Sequence, residues 1–345
     1  MSSPLLQLTL ARFREFMREP EAIFWTFIFP ILMAAGLGLA FRSRPAETSR
    51  VGVLNSTHQA QTLKVALSQD PALTVELLDE AGAASALQAG RIALLVVPSS
   101  DKAAEFRYDT HRPEARVARL QVDQALQRAA GRQDPVVVKD TLVSERGSRY
   151  IDFVLPGLLA MNLMSGGIWG LGFGIVDSRR KKLLKRLAVT PMSRSQYLAS
   201  YLLQRVVVMV FEVAVVLVFG ALVFGVPMRG PILALITICL LGTLMFGALG
   251  LLCASRVRTI EGASGIMNVV MLPMWVCSGV FFAATNFPDA IQPLVQALPL
   301  TATVDALRLN MLQGSGFAAL SGELGIMALW TAVSFVLALK LFRWQ

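Results

Sequence analysis

Glu212 is an acidic residue deep within a long stretch of uncharged, apolar sequence. A carboxylate at the centre of a bilayer costs roughly 2.5–3.5 kcal/mol on insertion scales, so it must be paired, protonated or next to water. One interpretation makes Glu212 part of a path for a substrate or a proton. The other pairs it structurally with Arg205, two helical turns earlier, and is favoured because Glu212 has no acidic or histidine neighbour to relay a proton.

Small and uncharged polar residues in other apolar stretches are further candidates. Asn162 and Asn268 can line a cavity or donate hydrogen bonds to neighbouring helices. Gly166, Gly170 and Gly174 repeat every four residues, which makes a smooth stripe for close helix packing in lipid. The stripe suits internal packing, and it equally suits a dimer seam or the wall of a conduit.

The sequence shows no residue set typical of an enzyme active site or a bound cofactor. His58 and His111 lie far apart in polar sequence, and the three cysteines have neither metal-ligand nor disulfide spacing. A Gly-x-x-x-x-Gly-Lys-Ser/Thr loop is missing, so the chain cannot cradle ATP phosphates in the usual way. We therefore predict no catalytic residue, metal site or cofactor in this chain.

The run from Asp177 to Pro191 combines positive charge with leucine. Six of the eight residues from Arg179 to Arg186 are cationic, so the run cannot cross hydrocarbon and is expected on the cytoplasmic side of a membrane. Its leucines fall on one face of a short helix, which indicates a docking surface for a cytoplasmic partner. The residues predicted to make that contact are Arg180, Lys181, Leu183, Leu184, Arg186 and Leu187.

Long uncharged segments indicate a polytopic α-helical membrane protein. The chain is 54% hydrophobic and only 16% charged, against about a quarter charged in soluble domains. Six segments have nearly the length that a spanning helix requires: 22–41, 153–176, 202–225, 232–254, 263–284 and 321–342. Short-loop cations gather on one side, so both termini are expected in the cytoplasm. The net charge of +9 suits topology and anionic membrane lipids rather than nucleic acid.

The rest of the chain divides into parts of different character. Residues 1–21 read as an amphipathic helix that lies flat in the headgroup region. Residues 42–149 alternate strand and helix patterns, which predicts a small α/β domain, extracytoplasmic by the charge argument. Residues 150–345 carry spans two to six, with a cytoplasmic loop at 177–200. A proline-interrupted segment at 285–320 is expected to be re-entrant at the outer surface.

Four stretches together resemble the permease subunit of bacterial ATP-binding-cassette exporters of the second type. The subgroup they resemble has a large extracytoplasmic domain between spans one and two. The stretches are Val51–Ser56 with Ala86–Pro98, Tyr150–Gly157, Leu184–Arg194, and Ser278–Phe282 with Pro299–Arg308. Their order and spacing carry the resemblance, which covers essentially the whole chain.

The resemblance implies how such a chain works. Two permeases pair, usually as a homodimer, and separate cytoplasmic ATPase subunits, which use ATP and Mg, dock at the N-terminal helix and at the loop after span two. Hydrolysis drives a substrate outward across the bacterial inner membrane, along a path near the dimer interface. We expect a hydrophobic or amphipathic substrate, such as a drug, a lipid or a natural product, because the spans carry almost no charge. The residues assigned to the path are Asn162, Gly166, Gly170, Asn268, Met271 and Glu212.

The residues that precede the leucines of the predicted docking segment depart from the pattern of that family. Many members have Glu and a Gly-Thr pair before the Leu-Lys-Arg-Leu core, where this chain has Arg180-Lys181-Lys182-Leu183.

Two other classes of protein stay open. One is a membrane-anchored protein whose polar domain recruits an envelope partner without transport, and the other is an integral membrane enzyme.

Overall fold

The computed structural model describes residues 4–41, 48–56, 59–100, 103–132, 149–181, 194–257 and 259–341. The chain forms two compact units. Ser43–Val143 is termed the inserted domain, and Met1–Arg42 together with Ser144–Gln345 is termed the membrane unit.

Six helices in the described part of the membrane unit are long and apolar enough to cross a membrane. They are spans 1 to 6: Pro20–Ala40, Tyr150–Arg180, Ala199–Phe224, Ile232–Ala254, Ile260–Cys277 and Ser321–Leu341. This number agrees with the sequence prediction and makes the chain a multi-pass helical membrane protein. Span 5 ends earlier than the predicted residue 284, because Gly279 takes a left-handed conformation with φ of 75° that a helix cannot continue through.

Spans 2 and 4 form the centre of the membrane unit, and most of their residues are buried. Glycines bring the two backbones together. A Cβ atom on Gly250 would lie 2.6 Å from the carbonyl oxygen of Gly167 and 2.8 Å from that of Ile168. A Cβ atom on Gly167 would lie 2.6 Å from the Cβ atom of Phe246. Only glycine fits at these two positions, so the pair fixes how closely spans 2 and 4 approach.

The start of span 2 is set by a charged cap. Nε and Nη2 of Arg149 donate to the two carboxylate oxygens of Asp152 at 2.9 and 2.8 Å. The backbone N–H of Arg149 also donates to this carboxylate, at 3.2 Å. A carboxylate in the first turn of a helix is further stabilised by the helix dipole, which explains why Asp152 is tolerated although it is buried.

Spans 1, 2 and 3 each contain a π-helical turn. These turns are Phe24–Ile28, Gly166–Gly170 and Gly220–Phe224. Such widened turns interrupt the regular hydrogen-bond ladder and occur often at functional sites. In span 1, the carbonyl oxygen of Thr26 accepts a hydrogen bond from the side-chain amide of Asn162, at 2.9 Å. This bond joins the widened turn of span 1 to span 2.

The segment 285–320 contains short helices and no candidate span among its residues. The 3-10 turns Ala284–Asn286 and Asp289–Ile291 lead into helices Gln292–Ala297 and Pro299–Gln313. The longer helix is largely buried and packs on the first half of span 2.

The N-terminal helix runs from Pro4 to Met17 and packs against span 3. Leu6, Leu10 and Met17, which share one face of this helix, are exposed. Arg12, on the opposite face, lies against the beginning of span 3.

The described part of the inserted domain contains a four-stranded sheet. Strand β1 (Ser49–Leu54) is parallel to β2 (Leu73–Leu78) and to β3 (Leu94–Ser100), and β4 (Ala103–Arg107) runs antiparallel to β3, which gives the strand order β2-β1-β3-β4. The helices among its described residues are Gln59–Ser68, Glu80–Gln88 and Pro113–Ala129.

Both faces of this sheet carry an apolar core, because successive side chains of a strand point to opposite faces. Val51 and Val53 pack with residues of the first and third helices, such as Leu67 and Val122. Leu54 packs on the other face with Ala83 of the second helix.

Candidate functional site

Glu212 and Arg205 form a buried ion pair within span 3. Arg205 Nη1 lies 2.8 Å from Glu212 Oε2, and the two side chains are 6% and 0% exposed. This is the pairing that the structural interpretation of Glu212 predicts from the sequence. In the described part of the chain, Arg205 Nε, Arg205 Nη2 and Glu212 Oε1 have no hydrogen-bond partner. Each charge therefore depends chiefly on the other for its stabilisation.

Gly166 of span 2 makes room for this pair. A Cβ atom on Gly166 would overlap the guanidinium group of Arg205. Gly166 also opens the π-helical turn Gly166–Gly170, so the widened turn lies where the charged group of span 3 meets span 2. The structure thus brings together two of the predicted path residues, Gly166 and Glu212, through Arg205. From the sequence, Arg205 was predicted only as the structural ion-pair partner of Glu212.

The other predicted path residues do not join this cluster. Asn162 is buried and bonded to span 1, whereas Met271 lies on the buried face of span 5. Asn268 is exposed, because it stands off the buried methionine stripe of its helix. Gly170 is also exposed, and a Cβ atom there would meet no other atom within 4 Å. A single copy of the chain therefore does not gather these residues around one cavity.

The glycine stripe of span 2 serves internal packing at two of its three positions. Gly166 receives Arg205, and a Cβ atom on Gly174 would lie 2.8 Å from the ring of Tyr201. Both partners belong to span 3. Gly170, between them, faces outward and is not part of this packing.

The end of span 2 carries the first residues of the basic run. Arg179 caps the end of span 4, because its Nη1 donates to the carbonyl oxygens of Ala254, at 3.0 Å, and of Val257. Lys181 Nζ lies 2.6 Å from the carboxylate of Asp177, and that hydrogen bond and opposite charge raise the pKa of Lys181. Arg180 is exposed.

Four of the predicted docking residues, Leu183, Leu184, Arg186 and Leu187, lie outside the described residues. The structure therefore leaves the predicted docking helix untested. Of the six cations that define the basic run, Arg179 is engaged within the membrane unit, which removes it from the candidates for partner contact.

Arg308 joins three segments at the beginning of span 2: its own helix, the first turn of span 2 and the residues after span 5. Its Nε and Nη2 donate to the carbonyl oxygen of Phe153 at 3.2 and 3.1 Å, and Nη2 also donates to that of Gly279. The guanidinium carbon lies 3.5 Å from the centroid of the Phe153 ring. Burial lowers the pKa of Arg308 to about 10. Asp305, three residues earlier on the same helix, is 4.0 Å away, so this ion pair is secondary to the carbonyl contacts.

Comparison with known proteins gives relatives among permeases. The linearmycin resistance permease protein LnrN of Bacillus subtilis is 24% identical over 217 residues, which is 61% of this chain and 54% of LnrN. The probable multidrug ABC transporter permease YbhR of Escherichia coli is 25% identical over 192 residues, or 55% of this chain and 52% of YbhR. The inner membrane transport permease YadH of Escherichia coli is 24% identical over 200 residues, or 58% of this chain and 75% of YadH. The chain thus spans about half the length of the first two relatives.

The sequence pattern of a family described as ABC-2 family transporter protein matches residues 20–340. This match runs from the first residue of span 1 to the last turn of span 6 and includes the inserted domain. The chain therefore belongs to the ABC-2 family of transporter proteins.

Proposed function

We propose that the chain is the membrane permease subunit of an ATP-driven exporter in the bacterial inner membrane. The observation that carries the proposal is the family match over residues 20–340 on a unit with six candidate spans. The three relatives described above are all named as permeases. Membership of this family implies a partner ATPase, which supplies the energy from a separate chain.

The proposed substrate is hydrophobic or amphipathic: a drug, a lipid or a natural product. Arg205 and Glu212 neutralise each other, so this pair offers no net charge for the recognition of an ionic solute. Two relatives have names that point the same way, one to linearmycin resistance and one to multidrug transport.

The proposed working form is a homodimer with its path near the interface between copies. Gly170 and Asn268 support this arrangement because they are exposed on a single chain, as residues of a shared path would be. Asn162, Gly166, Met271 and Glu212 then act behind that surface, by holding spans 1, 2, 3 and 5 in place.

The proposed orientation puts both termini, the N-terminal helix and the loop 177–200 in the cytoplasm, and the inserted domain outside. The ATPase docks on that helix and loop. Arg180 and Lys181 support this assignment, because both side chains are exposed at the end of span 2 where the loop begins.

Truncating the docking leucines tests the proposal. We expect replacement of Leu183, Leu184 and Leu187 by alanine to lower the amount of ATPase that co-purifies with the chain at least tenfold, because an apolar contact face is lost. Replacement of Val65, Val117 and Leu120 by alanine is the matched control, since these side chains are exposed apolar groups of the inserted domain. Unchanged ATPase recovery with the leucine variant would show that this segment is not the docking surface.

A further inference from the structure

Tyr201 lies where three segments of the membrane unit meet. It is a buried residue in the first turn of span 3, and its partners come from the N-terminal helix and from the last turns of span 2. We call Tyr201 together with Arg12, Gly174, Ser178 and Ser200 the Tyr201 junction.

The hydroxyl group of Tyr201 ties span 3 to span 2 by two hydrogen bonds. It donates to the carbonyl oxygen of Gly174 at 2.9 Å. A phenol has one proton to give, so the hydroxyl of Ser178, at 2.8 Å, donates to the Tyr201 oxygen. Gly174 permits this approach, because a side chain there would collide with the ring.

The ring of Tyr201 connects span 3 to the N-terminal helix. The guanidinium carbon of Arg12 lies 3.2 Å from the ring centroid, which is a close cation–π contact. Arg12 Nε also donates to the hydroxyl of the neighbouring Ser200 at 3.0 Å. One side chain of span 3 therefore holds both the N-terminal helix and the end of span 2.

In the sequence, Ser178 precedes and Tyr201 follows the predicted docking leucines Leu183, Leu184 and Leu187. We propose that Tyr201 is a positioning residue that joins the N-terminal helix, the end of span 2 and the beginning of span 3 into one unit. A push from a docked ATPase on the N-terminal helix or on the loop 177–200 is then transmitted to spans 2 and 3 together. This inference rests on the proposed function, because it takes both segments as ATPase contacts.

Spin-label distances across the junction test this role. The full chain, with its three native cysteines replaced by alanine, receives labels at Arg14 of the N-terminal helix and Arg180 of span 2, both of which are exposed. In lipid nanodiscs we expect one narrow distance distribution. Tyr201→Phe, which removes only the hydroxyl, should at least double its width, and Arg12→Met should do the same. Tyr150→Phe is the matched control, since it removes a hydroxyl that donates to the Phe281 carbonyl at the other end of span 2.

Hydrolysis by the complex supplies the functional readout. The quantity measured is the difference in ATP hydrolysis rate between the ATPase alone and the ATPase bound to this chain. We expect Tyr201→Phe to reduce this difference about fivefold, because a factor of that size corresponds to the net free energy of one hydrogen bond. The amount of bound ATPase should match that of Tyr150→Phe. A Tyr201→Phe distribution as narrow as that of the native chain, or an unaltered response of hydrolysis, would overturn the inference. If the native chain binds no ATPase, the proposed function fails, whereas the distances in the chain alone still decide whether Tyr201 fixes the helix.

Discussion

Replacement of Glu212 by alanine is expected to destabilise the membrane unit by about 3–5 kcal/mol, because Arg205 then stays buried without its counter-ion. The pair is almost fully buried, and the partnerless atoms of Arg205 show that few other groups compensate its charge. The measurement is the free energy of unfolding in mixed micelles, followed by tryptophan fluorescence during titration with a denaturing detergent.

Removing both charges together should behave differently. The double variant Arg205→Met with Glu212→Leu is expected to recover most of the lost stability, because an apolar pair of similar volume needs no charge compensation. Glu105→Ala is the control, since it breaks an exposed pair with Arg107, at 3.0 Å, and should hardly change stability. If the double variant is as unstable as Glu212→Ala, the pair stabilises the membrane unit by more than mutual neutralisation of charge, which would contradict this account of the pair.

Replacement of Gly250 by valine is expected to cost about 3 kcal/mol or more. The new side chain would meet the backbone of Gly167 and Ile168, which cannot rotate away as a flexible side chain would. Spans 2 and 4 would have to separate at the centre of the membrane unit. The thermal midpoint of unfolding in detergent measures this effect directly.

Gly170→Ala is the matched control for Gly250→Val. Gly170 also lies in a central span, but a Cβ atom there meets no other atom within 4 Å. Alanine is expected to leave stability unchanged or to raise it by up to about 1 kcal/mol through its higher helix propensity. Equal loss of stability for the two variants would contradict the assignment of close span packing to Gly250.

The spans could be predicted from sequence because apolar length is a local property. The pairing of Arg205 with Glu212 was also within reach, since both residues lie on one helix and a lone buried acid needs a cation. The glycine stripe was visible for the same reason. The spans that these glycines contact could not be predicted, because the partners of Gly166 and Gly174 lie in span 3, which is distant in the sequence.

Contacts between distant segments account for what the sequence did not show. Spacing along one helix puts Asp305 within reach of Arg308, yet the guanidinium group donates its hydrogen bonds to the carbonyl oxygens of the distant residues Phe153 and Gly279. The close backbone contact between spans 2 and 4 joins Gly167 to Gly250, and neither residue belongs to the four-residue repeat. The Tyr201 junction likewise unites three segments that no periodic pattern links. The sequence offered only an arginine in the amphipathic N-terminal helix and a tyrosine at the start of a later apolar segment, with nothing to pair them.

ATP-dependent movement of a lipophilic probe is the most direct test of the central claim that this chain is a permease driven by a separate ATPase. Inside-out inner-membrane vesicles would carry this chain with its ATPase, with a hydrolysis-deficient ATPase, or with either chain absent. Linearmycin, ethidium and a fluorescent phospholipid would serve as probes. We expect ATP-dependent accumulation of at least one probe only when this chain and the active ATPase are both present. Hydrolysis that is identical with and without this chain, together with no ATP-dependent movement of any probe, would contradict the account.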